Sequence, residues 1–246
     1  GKNNYLSTPQ EYDLTHFLTP GSHKLTIRID NGKSIPKQIR SSSHACTEST
    51  QTNWNGIIGR IELQAMNPLF IESIQTFPSV ADRSVKVKIT LSKEYGINGK
   101  QIRLSAAAFN SSRKHKVKAT EYALKEGCKE DEFVYQLGSK ALLWSDLQPA
   151  LYQLKAEING IDEQSVRFGL RDFKAEQTHF TINGAKTFLR GKHDACVFPL
   201  TGYTAMDLEQ WRRYFRICKE YGLNHCRFHS WCPPAACFEA ADLEGV

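Results

Sequence analysis

The feature that most constrains this chain is a series of short alternating segments between Pro68 and Leu170. Val85, Val87, Ile89 and Leu91 alternate with Lys86, Lys88 and Thr90, the period of two that sends one set of side chains to each face of a half-buried strand. Further candidate strands lie at 69–76, 101–109, 115–122, 132–137, 151–158 and 164–169. Tyr95-Gly96, Asn98-Gly99 and Asn159-Gly160 supply turns between them. Seven short strands in about a hundred residues predict an immunoglobulin-like β-sandwich, here over 67–170. Only Cys128 falls in this stretch, so apolar packing has to hold the sandwich together without an internal disulfide.

The flanks have different textures. From Tyr12 to about Ala65 the pattern is again that of a sheet, with Leu25, Ile27 and Ile29 alternating with Lys24, Thr26 and Arg28 and a second candidate strand from Ile57 to Leu63. Between them a polar loop, 40–55, holds one large aromatic, Trp54. Two or three strands cannot close a sandwich, so 1–66 reads as the back part of a larger β-domain. After Phe180 the period changes. Thr187 to Arg190 reads as a short buried strand, and Leu208, Trp211, Phe215 and Cys218 then recur at helical spacing. Thr204, or next Asp207, is the candidate cap at the start of this helix, and Gly222 suits its end. A strand from Asn224 to Phe228 follows. Pro233-Pro234 then opens a second helix, in which Phe238 and Leu243 are expected to face inward. Strand, helix, strand, helix is the start of a parallel α/β fold, assigned to 171–246.

Composition narrows the function classes. The 246 residues carry 32 Lys and Arg against 26 Asp and Glu, a net charge of +6 that is dispersed along the chain. A nucleic-acid partner is therefore not expected: the one basic knot, Arg113, Lys114, Lys116 and Lys118, reads as a solvated turn. No apolar run is long enough to span a bilayer, and no membrane partner is expected. The seven cysteines lack the regular spacing of a disulfide framework and are read as thiols. His193, Cys196, Cys226, His229, Cys232 and Cys237 invite a zinc reading, but no CxxC pair supports it. His225 and His229 would lie about 13 Å apart on a strand, so neither metal nor cofactor is assigned.

In parallel α/β barrels the chemistry sits at the carboxyl ends of the strands, where loops vary on a rigid frame. Arg190-Gly191-Lys192-His193-Asp194 follows the first strand and Arg227-Phe228-His229-Ser230-Trp231 ends the second. A sugar pocket needs bidentate donors, a carboxylate to accept from hydroxyls and an aromatic face for C–H groups, and these segments offer all three. Each arginine can equally neutralise a carboxylate from another strand. Trp231 is either pocket wall or core, while Trp144 and Trp211 read as core and His225 as a satisfied core histidine.

The chain resembles glycoside hydrolase family 2, the group of β-galactosidases, β-glucuronidases and β-mannosidases. Tyr12-Asp13-Leu14-Thr15, Pro20-Gly21 and Leu25 to Asn31 look like late strands of that family's jelly-roll, and Trp54-Asn55-Gly56-Ile57 with Arg60-Ile61-Glu62-Leu63 resembles its closing strand. Leu143-Trp144-Ser145 with Pro149-x-Leu151-Tyr152 is similar to a signature of its immunoglobulin-like domain. Phe168-Gly169-Leu170-Arg171, Phe180-x-Ile182-Asn183-Gly184 and Phe188-Leu189-Arg190-Gly191 look like the lead-in to its TIM barrel.

The resemblance implies a multidomain, mainly β chain: part of a jelly-roll, an immunoglobulin-like sandwich and the first two β/α units of a (β/α)8 barrel. It implies a retaining exo-β-glycosidase, β-galactosidase-like, with β-glucuronidase- or β-mannosidase-like specificity as the alternative. Two glutamates would act, with carboxyls about 5 Å apart, and both are expected beyond Val246, so that these 246 residues alone are expected to be inactive. His193-Asp194 matches a histidine–acid pair that contacts sugar hydroxyls, and Arg227 an arginine near the nucleophile. His229-Ser230 stands where relatives carry the opposite order. Thr52 and Asn53 stand where relatives often send an acid into the pocket, and an amide both donates and accepts. The substrate-binding set implied is His193, Asp194, Arg227, His229, Trp231 and Asn53, with a β-linked glycoside as partner. A homo-oligomer of the full-length parent stays open, as does a periplasmic or extracellular location set by a leader. With only two barrel units, the helix face bearing Trp211 and Phe215 is expected to be left apolar and exposed. The rival from another class is a non-catalytic carbohydrate-binding scaffold.

Overall fold

The computed structural model describes residues 1–5, 8–30, 36–45, 54, 56–94 and 100–246. The turn residues Tyr95-Gly96 and Asn98-Gly99, like Thr52 and Asn53, lie outside this set. The chain is mainly β. A short helix, α1 (Lys37–Ser42), precedes seven strands: β1 (Ile71–Ser79), β2 (Ser84–Leu91), β3 (Gln101–Phe109), β4 (Lys116–Ala123), β5 (Glu130–Gln136), β6 (Leu151–Ile158) and β7 (Asp162–Phe168). They form two antiparallel sheets, ordered β1-β2-β5 and β4-β3-β6-β7. The chain crosses from one sheet to the other after β2, β4 and β5.

The alternation read from the sequence sets which face is buried. Val85, Val87 and Ile89 of β2 are fully buried, and their neighbours across the ladder, Tyr135, Phe133 and Asp131 of β5, point the same way. From the other sheet Ile102 and Leu104 of β3 and Leu154, Ala156 and Ile158 of β6 meet them. Each such Leu or Ile contributes about 1.5–3 kcal/mol by leaving water. Polar atoms drawn into this core have partners. The Tyr152 hydroxyl accepts from the Leu142 amide at 2.8 Å and bonds His115 Nδ1 at 2.7 Å, and the Tyr135 hydroxyl donates to the Lys118 carbonyl.

The N-terminal expectation is corrected. No strand forms among the described residues of 1–66; Leu25 is 65% exposed and Ile27 and Ile29 are each 49% exposed, while Ile57, Ile61 and Leu63 are also exposed. A strand obtains its backbone hydrogen bonds only from a neighbour, and neither run has one among the described residues. The segment nevertheless touches the C-terminal part of the chain: the Trp54 ring meets Phe198 edge-on at 6.5 Å and His44 reaches His229.

After the sandwich, β8 (Phe173–Glu176), β9 (His179–Ile182) and β10 (Ala185–Thr187) make a small antiparallel sheet. Then come β11 (Gly191–Asp194), α2 (Leu208–Glu220), β12 (His225–Phe228) and α3 (Ala235–Glu244), with β11 and β12 parallel. The first parallel strand thus begins at Gly191 rather than at Thr187, because Thr187 pairs back with Phe180. Asp207, not Thr204, caps α2: its carboxylate accepts from the Gln210 amide at 2.9 Å. In α3 the inward residues are Cys237 and Ala240, and Phe238 is 52% exposed. The expected bare face on α2 is absent: Trp211 and Phe215 are buried, packed on Phe228, Trp231, Ala236 and Ala241.

A seam of side-chain-to-carbonyl bonds joins the sandwich to the α/β part. Trp144 Nε1 donates to the Asp242 carbonyl at 2.8 Å, Asn110 Nδ2 to that of Leu243 at 2.7 Å, and Lys219 Nζ to those of Asp146 and Gly245. Burial in this seam pushes the Lys219 ammonium below its ordinary pKa. Gly245 ends α3 at φ +77°, and a Cβ there would lie 2.4 Å from the Asp146 carbonyl oxygen, so only glycine fits.

Candidate functional site

The parallel pairing of β11 and β12 sets Lys192 beside Cys226, His193 beside Arg227 and Asp194 beside Phe228. Because side chains alternate along a strand, this register sorts the candidates onto two faces. Lys192, Asp194, Cys226 and Phe228 face α2. His193 and Arg227 face the opposite, open side. The starts of the two strands are held by Asn224, which is buried: its Oδ1 accepts from the Arg190 amide at 2.9 Å and its Nδ2 donates to Asp146 Oδ2 and the Phe188 carbonyl. Gly191 leaves room for the His225 ring, whose Cδ2 would lie 2.8 Å from any Cβ placed there.

On the helix side, Asp194 is the hub. Its Oδ1 accepts from the Cys196 amide at 2.9 Å and from Trp231 Nε1 at 3.1 Å; its Oδ2 accepts from the Tyr214 hydroxyl at 2.8 Å and Lys192 Nζ at 3.3 Å. Both oxygens are therefore engaged by internal donors, and the residue is buried. The Tyr214 phenol is pushed well above its usual pKa, first by burial, then by its contact with Cys226 and the negative charge of Asp194. Burial likewise raises the Cys226, Cys218 and Cys237 thiols, which leaves them protonated and unreactive as nucleophiles. Among the described residues no group of three or more His, Cys, Asp or Glu is arranged to hold a metal ion.

On the open side, Arg227 donates through Nη1 to His229 Nδ1 at 2.7 Å. The His229 amide donates to the Asp194 carbonyl at 2.7 Å, which continues the strand pairing one residue past β12 and fixes where the ring starts. That ring lies 4.7 Å from His193 and 4.9 Å from His44, centroid to centroid. Desolvation, then the Arg227 charge, then His193 and His44, push the His229 imidazole below its ordinary pKa. The neutral ring keeps a lone pair on Nδ1 to accept from the guanidinium.

The six residues expected to share a pocket are thus divided. His193, Arg227 and His229 come together on the open face. Asp194 and Trp231 sit together on the other, and the Trp231 ring packs against Phe228 at 5.4 Å, Phe198 at 5.8 Å and Trp211 at 6.3 Å. Asn53 lies outside the described residues. Arg190 is exposed and spends its Nε on the Gly222 carbonyl at 2.6 Å, which closes the turn after α2. Two contributors escaped sequence reasoning. His44 carried no signal, being a lone histidine in a serine-rich loop far along the chain from the strands it meets. Tyr214 did carry one: a tyrosine on an apolar helix face needs an acceptor for its hydroxyl, and the nearest candidate was Asp194.

Comparison with known proteins agrees with this architecture. Residues 69–171 match the family model for glycosyl hydrolases family 2. The chain is 26% identical, over 95% of its length, to a putative beta-glucuronidase of Formosa agariphila, and 24% identical, over 97%, to a beta-galactosidase of Thermoanaerobacter pseudethanolicus. It spans 22% of the first and 32% of the second. Among solved structures, a glycosyl hydrolase family 2 member from Bacteroides cellulosilyticus superposes with a TM-score of 0.58 at 25% identity, over 74% of this chain and 24% of that one. The Parabacteroides merdae beta-glucuronidase shares the fold, with a TM-score of 0.57 at 18% identity over 72% of this chain and 23% of its own. In sequence along almost the whole chain, and in fold over about three quarters of it, this protein is therefore similar to members of glycoside hydrolase family 2.

Proposed function

We propose that these residues form the saccharide-facing opening of a retaining exo-β-glycosidase. In this reading 1–66 belongs to a jelly-roll, 67–170 is an immunoglobulin-like spacer and 171–246 supplies the first two β/α units of a TIM barrel. The observation that carries it is the parallel β11–β12 pair, with helices on one face and His193, Arg227 and His229 converging on the other at the strand ends. In a closed barrel that open face is the interior, and its carboxyl rim is where substrates sit. Arg227 and the two imidazoles there supply fixed donors to sugar hydroxyls. Asp194 acts from behind, by holding the strand end and Trp231 in place.

The chain does not cleave glycosides by itself. A retaining mechanism needs two carboxyls about 5 Å apart. Glu239 is paired with Arg167, and Glu244 is held by Arg212 at 2.7 Å and Arg216 at 3.1 Å, all away from the strand ends. The substrate is a β-galactoside or, in the second reading, a β-glucuronide; the names of two Formosa agariphila relatives favour the latter. Saturation-transfer NMR with methyl β-glycosides, alongside chromogenic assays, tests the proposal. Binding without turnover is expected. Absence of any saccharide binding overturns the reading, and turnover well above background overturns the exclusion of Glu239 and Glu244.

A further inference from the structure

We propose that Asn159 is a site of spontaneous deamidation, where the side-chain amide converts to aspartate and isoaspartate, while the chemically equivalent Asn183 is protected by the fold. Both residues precede a glycine, Asn159-Gly160 in the turn between β6 and β7 and Asn183-Gly184 in the turn between β9 and β10. In this reaction the backbone nitrogen of the next residue attacks the asparagine Cγ. A carbon–nitrogen bond forms and closes a five-membered succinimide, the side-chain nitrogen leaves as ammonia, and water opens the ring at either carbonyl, so no oxidant or reductant is consumed. A following glycine has no Cβ to crowd the attacking nitrogen. The local sequence therefore treats the two pairs alike, and their surroundings distinguish them.

Asn183 is held at both ends of its amide. Its Oδ1 accepts from the Asp172 N–H at 2.9 Å and its Nδ2 donates to the Trp144 carbonyl at 2.9 Å, and swinging Cγ onto Gly184 breaks both bonds. Asn159 and Gly160 are exposed, and the Asn159 amide has no hydrogen-bond partner among the described residues. The turn around it is closed by the Ile161 N–H donating to the Ile158 carbonyl at 2.9 Å, a bond that uses neither the Asn159 side chain nor the Gly160 nitrogen. No hydrogen bond of the Asn159 side chain has to break before Cγ and the attacking nitrogen meet.

The position gives the product a structural effect. Beside this turn the Asp162 carboxylate accepts from the Ile71 N–H at 2.8 Å and the Ile161 carbonyl accepts from Asn67 Nδ2 at 2.6 Å, and these two bonds fix the start of β1 against the start of β7. A carboxylate at 159 joins those of Glu157, Asp162 and Glu163, where Lys155 already serves Glu157 at 3.8 Å and Glu163 at 2.6 Å. The added like charge disfavours the ionised Asp162 that holds Ile71, and isoaspartate also lengthens the turn by one backbone carbon. Conversion at 159 therefore loosens the clamp at the start of β1.

The test incubates the 246-residue chain in mildly alkaline buffer, folded and in parallel in urea, and follows the peptides bearing Asn159 and Asn183 by mass spectrometry, with isoaspartate identified by enzymatic carboxyl methylation. In the folded chain Asn159 is expected to convert at least about tenfold faster than Asn183, because two hydrogen bonds oppose the second reaction, and in urea the two rates are expected to converge. Asn159→Gln, whose longer side chain closes its ring far more slowly, is expected to stop conversion at this turn. Equal rates in the folded chain, or no conversion at Asn159, overturn the proposal. So does a difference that persists in urea, since it would then belong to the local sequence and not to the fold. The Ile71 amide is expected to exchange its hydrogen faster in the incubated chain than in Asn159→Gln incubated alongside it; equal exchange overturns the effect on the clamp.

Discussion

Two regions of this molecule carry nearly the same sequence pattern and adopt different structures. Val85 to Leu91 and Leu25 to Ile29 both alternate branched apolar residues with Lys, Thr or Arg. The first is the central strand of a three-stranded sheet, with its apolar face buried; the second has no strand neighbour among the described residues and leaves its apolar side chains exposed. The contrast shows that alternation specifies which side of a strand is to be buried, while the strand itself depends on what lies on either side.

The comparison breaks most directly by truncating one apolar residue in each region. Leu154→Ala, in the sealed core of the sandwich, is expected to cost about 2–5 kcal/mol, and Ile27→Ala no more than about 0.5 kcal/mol, both read from urea unfolding midpoints. A comparable loss at Ile27 would mean that 25–29 is packed as a strand in solution.

How much was legible follows from the same contrast. For β2, β3 and β6 the alternation located both ends of the strand, because the core beneath agreed with it. Helix α2 was readable from Trp211, Phe215 and Cys218, since a long amphipathic helix carries its own hydrogen bonds. Around the site, the residues singled out from the sequence lie on adjacent strands but are divided between two faces. Asp194 and Arg227 lie in adjacent strands, but only the register, His193 beside Arg227, tells which face each side chain takes. A shift of one residue in that register exchanges those faces. His44 could not be found at all, since its role depends on a contact between distant segments.

A second experiment sharpens the comparison through the buried phenols. Burial pushes Tyr135 up to about 12, despite a backbone hydrogen bond that opposes it, and it raises Tyr152 and Tyr122 as well. The unfolded chain titrates near 10, so the sandwich keeps this stabilisation in full below about pH 10 and loses it as pH rises toward 12. For Tyr135 alone the loss is on the order of 2 kcal/mol, measurable as a fall in the urea midpoint between pH 9 and pH 11.5 that Tyr135→Phe reduces.

The smallest effect belongs to the outer face of the sandwich. Lys88 pairs with Glu130 at 2.7 Å across the β2–β5 ladder, with both side chains partly in water. Lys88→Ala is expected to change stability by less than about 1 kcal/mol, and less still at high salt, in the same urea assay. A larger change would place part of the sandwich's stability on the surface that it shares in character with 25–29.

The contact between Gly245 and the Asp146 carbonyl has a consequence for anyone who would rebuild this protein. It acts as a spacer gauge: the tail of the last helix can approach the sandwich only as closely as a missing side chain allows, and Asn224, anchored on the same Asp146, transmits that spacing to the strand that carries Arg227. Exchanging the sandwich for one from a relative would therefore shift the open face of β11 and β12 from a distance, unless the donor's loop offered a carbonyl at the same height.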